Sequence, residues 1–293
     1  GYIGFGEVGY YTALGLSEAG LTDQVAYCNG ARNRPPYTSE FRERAARAGV
    51  ELVGSMAELA DRCDLLYSVV IASTAEAAGR EAAQHAAERH YYVDLNSCSA
   101  PVKRDLAELF AARGATYVDA ASFGAALRFK QTYLIWACGD GAAELSRVMT
   151  PFGMRIRIIS GPPGTAATLK MLRSVLMKGC EALLWELLLA GHFAGLDQEI
   201  REAAIEAFDE TPFPIFADNL VRRGAIHAKR RADELEHVIA TISDFGVEPI
   251  MARAICERLR WVEGFDLKTR FDGEPAANYL QAIETVAELT RGR

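Results

Sequence analysis

The sequence predicts an α/β protein in two parts, a doubly wound and largely parallel sheet followed by an all-α region. Three observations carry this. Short apolar runs alternate with amphipathic helical patterns through residue 160. A glycine-rich turn, Gly4-Phe5-Gly6-Glu7-Val8-Gly9, joins the first apolar run to the first helical pattern. Strand signals then stop near "SGPPG" (160–164), where glycine and proline punctuate the chain. Strand–helix alternation places helices on both faces of a parallel sheet. The expected domains are therefore 1–162 and 163–293.

The strands, in order, are "YIGF" (2–5), "QVAYCN" (24–29), "ELVG" (51–54), "DLLYSVV" (64–70), "YYVDLN" (91–96), "TYVDAA" (116–121), "TYLIWACG" (132–139) and "RIRIIS" (155–160). Amphipathic stretches such as "YTSEFRERAARAG" (37–49) and "APVKRDLAELFAARG" (100–114) lie between them. Helical periodicity then covers 165–191, 197–209, 211–223, 228–244, 247–261 and 275–291.

The 293 residues suit two domains, and the apolar half and charged quarter are an ordinary globular balance. A net charge of −7 argues against a nonspecific nucleic-acid binder, while leaving room for a local basic pocket. No apolar run reaches the roughly 18–20 residues of a membrane span. "CEALLWELLLAG" (180–191) is interrupted by Glu181 and Glu186 and reads as a buried helix, with Trp185 in the core. Six scattered cysteines, without CxxC or a His–Cys cluster, fit reduced thiols and imply no metal site. No signal peptide is visible, so the cytoplasm is the default expectation. The chain starts almost inside a strand, which implies that a few native N-terminal residues are missing.

Gly4, Gly6 and Gly9 fit GxGxxG between a strand and a helix. In that setting the first glycine permits the tight turn and the second lets backbone approach a pyrophosphate. The third allows close helix–strand packing, and the helix N-terminus offers free N–H groups to phosphate. This is the fingerprint of a Rossmann-type dinucleotide site. NAD-selective sites place an acid about 20 residues beyond the motif, on the ribose 2′-hydroxyl. Here Asn29 stands near that point, and Arg32 and Arg34 follow. A neutral residue beside two guanidinium groups favours NADP(H), with NAD(H) the alternative; both arginines also read as solvated loop residues. The cofactor set is Gly4, Phe5, Gly6, Glu7, Val8, Gly9, Asn29, Arg32, Arg34 and Val70.

The second glycine run, "GPPGTAATLK" (161–170), opens a long apolar helix on which Lys170, Ser174 and Lys178 share one face, flanked by Arg173. A lysine on a buried helix pays a desolvation cost that lowers its pKa toward the range useful for proton transfer. Equally, a lysine at a helix start can snorkel to solvent. Spacing alone leaves both readings open.

Four stretches in order, "GFGEVG" (4–9), "DLNSCSAP" (94–101), "YVDAASFGA" (117–125) and "GPPGTAATLK" (161–170), resemble the β-hydroxyacid dehydrogenases and 6-phosphogluconate dehydrogenases. "HAKRRADELEHV" (227–238), "GVEP" (246–249) and "ERLRWV" (257–262) look most like a phosphogluconate-dehydrogenase-like branch with a C-terminal domain of unknown function. The resemblance implies a nicotinamide-dependent oxidoreductase that transfers a hydride to or from a small hydroxy acid or related alcohol or carbonyl. Lys170 would be its general acid/base. Ser99, with Asn96 and Ser97, would hydrogen-bond a substrate carboxylate, and Gly124 would let backbone approach the substrate. It further implies a small-molecule substrate, a homodimer formed through the helical domain, and no nucleic-acid or membrane partner.

The departures narrow this. Ser174 stands where the family has a substrate-binding asparagine. Met177 stands where 6-phosphogluconate dehydrogenases have a proton-donating glutamate, so decarboxylation by that route is not expected. Phe123 replaces a serine and implies a more apolar pocket. Arg173 could meet a carboxylate or phosphate, or pair with a surface acid. The retained Lys170 argues against imine reductases, which usually lack it. The alternatives are an imine or ketone reductase of the same fold and a non-catalytic NADP-binding protein. His227, Lys229, Arg230 and Arg231 read as a solvated basic face beside "DELE" (233–236) in preference to an anion site. Asp94 and Asp119 read as loop organisers that accept backbone N–H bonds.

Overall fold

A computed structural model describes residues 1–31 and 33–292; Arg32, placed above with the cofactor-binding residues, and Arg293 lie outside the described residues. The chain divides into two compact units, Gly1–Val175 and the residues from Leu176 onward.

The first unit is an eight-stranded sheet built from β1 (Tyr2–Ile3), β2 (Gln24–Tyr27), β3 (Val50–Leu52), β4 (Leu65–Ser68), β5 (Tyr91–Asp94), β6 (Thr116–Phe123), β7 (Leu134–Cys138) and β8 (Arg155–Ile158). Their spatial order is β3-β2-β1-β4-β5-β6-β7-β8, and every neighbouring pair is parallel except β6 with β7. Helices α1 (Glu7–Glu18), α2 (Ser39–Arg47), α3 (Met56–Arg62), α4 (Ala72–Gln84), α5 (Ala100–Ala111), α6 (Ala126–Phe129) and α7 (Ala142–Met149) connect them. The order reverses between β1 and β4, and a crevice at the carboxyl ends of such strands is where open α/β sheets bind ligands.

The period of two along a strand divides the core between the two faces. Tyr2, Val93 and Val118 join a cluster with Phe5, Leu16, Phe41 and Ile135. Their neighbours Ile3, Tyr92 and Tyr117 join the opposite cluster with Leu59, Leu106 and Phe110. Several strands end earlier than their apolar runs. β1 stops at Ile3 because Gly4 turns the chain with φ +89°. β6 does the reverse: its pairing with β5 ends at Asp94–Asp119, whereas its pairing with β7 continues to Phe123–Leu134.

Helix α8 (Thr165–Phe193) starts in the first unit, and its later turns belong to the second. The second unit continues with α9 (Asp197–Asp209), α10 (Phe213–Asp244), α11 (Ile250–Glu263), α12 (Leu267–Arg270) and α13 (Tyr279–Arg291). The separate helices expected at 211–223 and 228–244 are one helix, α10. Gly224 inside it costs about 1 kcal/mol of helix propensity. That cost does not break the helix, because Ala225, Ile226, Ala228 and Ala232 beyond it are buried. Ala225 shares a cluster with Phe265, Leu267, Ala276 and Ala282.

Two further expectations are corrected here. The stretch 180–191 is helical but not buried within the chain, and Trp185 is 73% exposed. The physical reason is that this helix is apolar around most of its circumference, more than its neighbours in the chain cover. Glu186, one of the two acids that interrupt it, accepts the N–H groups of Met251 at 2.7 Å and Ala252 at 2.8 Å and so caps α11. In the basic stretch, Lys229 pairs with Asp233 and Glu263, and Arg230 with Glu234. Among the described residues no helix is long and apolar enough to cross a membrane.

Candidate active site

The glycine turn leaves β1 at the reversal point, and its three glycines differ physically. A Cβ on Gly4 would stand 2.8 Å from Val70 Cγ1 and 2.9 Å from the Val69 oxygen. On Gly9 it would stand 3.0 Å from the Gly4 oxygen and 3.3 Å from Val69 Cγ2. On Gly6 it would meet nothing within 4 Å. Gly4 and Gly9 thus let strand and helix approach, while Gly6, the N-cap of α1, leaves open space over the helix start. The first N–H groups of α1 and its positive dipole end border that space. Phe5 is buried, its ring edge-on to Tyr2, Tyr10 and Phe41, so only its backbone lines the turn. Glu7 is exposed and Val8 half-buried. The backbone N–H of Val70 donates to Asn96 Oδ1 at 2.8 Å.

Beyond β2, Asn29 and Arg34 are exposed, and among the described residues neither makes a side-chain hydrogen bond within the protein. The Tyr37 hydroxyl anchors this loop, accepting from Cys28 N at 3.1 Å and donating to the Val53 oxygen at 2.9 Å. Burial pushes the Cys28 thiol and the Tyr37 hydroxyl each up to about 12. Arg44 on α2 was not singled out from the sequence. Its guanidinium donates to the Gly6 oxygen at 3.1 Å and lies 4.8 Å from the centre of the Tyr10 ring. No local pattern marks it, because it reads as one of several arginines on an amphipathic helix. An open glycine cradle, a helix N-terminus and the neighbouring Arg44 fit a nicotinamide dinucleotide.

Next along the sheet, the carboxyl ends of β5 and β6 hold a buried polar network. Asp94, Lys103 and Asp119 are fully buried. Lys103 Nζ lies 2.9 Å from Asp94 Oδ1 and 3.3 Å from Asp119 Oδ1, and donates to the Asp94 carbonyl at 2.8 Å. Tyr117 donates to Asp94 Oδ2 at 2.7 Å. Asn96 donates both amide protons within the protein, to Ser68 Oγ and to Asp94 Oδ1, each at 2.8 Å. Asp119 Oδ2 accepts the N–H groups of Gly164 at 2.8 Å, Ala166 at 2.9 Å and Ala167 at 3.2 Å, capping α8. Burial, then the Asp119 charge, pushes the neighbouring Cys138 thiol up to about 11. Lys103 continues the apolar stripe of Leu106 and Phe110 backward at helical spacing, and a charge on such a stripe was the available signal for it.

Lys170, one turn into α8, is half-buried and donates to Ser122 Oγ at 3.4 Å. Burial lowers its proton affinity below the usual lysine range, and the positive charge of Lys103 adds to this. Ser122 was not identified from the sequence. The Ser174 hydroxyl bonds back to the Lys170 carbonyl at 2.9 Å. The Arg173 guanidinium sits 5.2 Å from the centre of the Phe123 ring, which is edge-on to Trp136. Gly124 has φ +116°, a conformation that other residues rarely adopt. Ser97 and Ser99 are exposed, and the Ser99 hydroxyl, although at the N-cap of α5, makes no cap bond.

A doubly wound sheet with a glycine cradle at its reversal point defines the class of NAD(P)-binding oxidoreductases. Residues 1–157 match the NAD binding domain of 6-phosphogluconate dehydrogenase, and residues 192–262 match a domain of unknown function (DUF1932). The chain belongs to the 6-phosphogluconate-dehydrogenase-like NAD-binding family, with this C-terminal domain. A conserved hypothetical protein from Sinorhizobium meliloti 1021 is 32% identical, with 88% of this chain and 86% of that one covered and a TM-score of 0.59. A conserved protein of unknown function, described as structurally similar to 3-hydroxyacid dehydrogenases, is 30% identical over 92% of this chain and 97% of its own, with a TM-score of 0.58. An imine reductase from Myxococcus stipitatus, in complex with NADP+, shares 18% identity over 90% of this chain and 93% of its own. Its TM-score of 0.75 speaks for the fold alone.

Proposed function

We propose that the chain oxidises a small hydroxy acid or related alcohol, or reduces the matching carbonyl compound, with Lys170 as the general acid/base and NADP(H) favoured. The observation that carries this is the half-buried Lys170 amine, poised on Ser122 with its proton affinity lowered. A bound nicotinamide supplies the hydride or accepts it. Gly6 and the start of α1 hold the dinucleotide phosphates, and the Val70 backbone, fixed by Asn96, borders the same crevice. During oxidation Lys170 takes the hydroxyl proton, and during reduction it returns one. The Ser99 hydroxyl, with Ser97, binds the substrate carboxylate, Arg173 offers it a cation, the Gly124 backbone lets the substrate approach, and Phe123 supplies an apolar wall. A neutral Asn29 with Arg34 nearby supports NADP(H) over NAD(H).

The partner we propose is a second copy of the chain, packed on the exposed apolar residues of α8. The six free cysteines support a reducing, cytoplasmic setting. The decisive experiment screens hydroxy acids, sugar acids and aromatic alcohols with NAD and NADP, following absorbance of the reduced cofactor. Turnover of a hydroxy acid that is lost in Lys170→Met, with NADPH binding intact, supports the reading. Unchanged turnover in that variant overturns the lysine mechanism, and preference for an amine or imine moves the protein to the imine reductase class.

A further inference from the structure

Asp94, Lys103 and Asp119 are fully buried charges, and the proton transfer proposed above uses none of them. Taking such charges from water costs several kcal/mol each unless partners compensate. The partners here are specific. The two oxygens of Asp119 serve two different helices. Among the described residues Oδ1 has no hydrogen bond and lies 3.3 Å from the Lys103 ammonium on α5. Oδ2 takes three backbone N–H groups at the start of α8. The two helix starts also touch, since a Cβ on Gly164 would stand 2.9 Å from the Ala100 Cβ. Lys170 follows Ala166 by four residues, about 6 Å along the axis. A turn of α8 about its start therefore carries the amine away from Ser122, which sits three residues beyond Asp119 on the same strand.

We propose that Lys103 and Asp119 are positioning residues for Lys170: Lys103 holds the Asp119 carboxylate in place, and that carboxylate fixes the first turn of α8 and the standpoint of the Lys170 amine. This rests on the reading of Lys170 as the working amine. The Lys103 ammonium also acts on Lys170 through space, second to burial in opposing its protonation. Charged groups on the same elements include Asp94 on β5, Asp119 on β6, and Arg173 and Lys178 on α8 itself. One device thus sets both the place and the charge environment of the amine.

The test needs no substrate. Exposed and half-exposed lysines are dimethylated with 13C-formaldehyde, and the Lys170 signal, assigned by its loss in Lys170→Arg, is titrated by NMR. Lys103→Met is expected to move the Lys170 midpoint upward and change its chemical shift, and Lys103→Arg to restore both. Asp119→Asn keeps an acceptor for α8 but removes the charge that Lys103 holds, and is expected to move the midpoint and change the Lys170 chemical shift. If Lys103→Met does not fold, Asp119→Asn carries the test. Once a substrate is known, Lys103→Met should lower kcat by about 10²-fold, the scale of a misplaced catalytic group, with the cofactor Kd unchanged. An unmoved Lys170 titration in folded Lys103→Met or Asp119→Asn, whatever their stability, overturns the positioning role. Normal turnover by Lys170→Met would instead overturn the lysine mechanism and leave the titration result standing.

Discussion

Gly4 and Val70, at the ends of adjoining strands, are so close that a Cβ on residue 4 would stand 2.8 Å from Val70 Cγ1. Gly4 also has φ +89°, where an L side chain is strained. Gly4→Ala should therefore lower the unfolding free energy by about 1–3 kcal/mol, read by chemical denaturation. Gly6→Ala, whose Cβ meets only open space, should unfold like the parent. The same variant should weaken NADPH binding by about tenfold or more in calorimetric titration, because its methyl group enters the cradle. Equal affinity in Gly6→Ala would place the phosphates elsewhere.

Lys170→Met removes the only titrating group this mechanism uses. Turnover should fall by roughly 10²–10⁴-fold, the usual contribution of a general acid/base, with the NADPH Kd unchanged. Stopped-flow hydride transfer and fluorescence binding read the two quantities separately.

The same variant should be more stable than the parent at neutral pH. Lys170 has a folded-state pKa below the ordinary value of 10.5, so its charged form opposes folding. That penalty is fully present below the folded-state value and is lifted as pH rises from there to the ordinary one. The gain from Lys170→Met, measured by denaturant unfolding across pH, should accordingly shrink to nothing in alkaline buffer. A gain independent of pH would trace to packing.

Leu172, Val175 and Trp185 on α8 are 67%, 74% and 73% exposed in the single chain, an apolar surface that monomers seldom carry. Light scattering coupled to gel filtration should give about twice the chain mass. Trp185→Glu should shift the protein toward monomer. A monomeric parent would remove the proposal of a second copy.

The two-part fold was legible because its signals are local. Glycine turns, short apolar strands and amphipathic helices each announce themselves within a dozen residues. The separate helices expected around Gly224 were illegible for the opposite reason, since burial of Ala225, Ile226 and Ala228 overrides a local propensity. At the site, the glycine cradle stood out by its own spacing, whereas Lys170 was singled out only through the family resemblance. Ser122 and Arg44 stood out by neither, because each gains its role through a partner 48 or 38 residues away in sequence. Trp185 was misplaced into the core because periodicity reports an apolar face without saying what covers it.

The overhang of β6 has a consequence for how this site can change. Beyond Asp119 the strand is bonded to β7 alone, so Ser122 and Phe123 ride on a tip that β5 does not grip. The stem below it carries the buried charges and tolerates little. At Phe123 the tip can exchange its side chain without disturbing the ladder between β5 and β6, whereas Ser122 is tied to the Lys170 amine. Selection for a new substrate, in nature or in a library, has its cheapest route there.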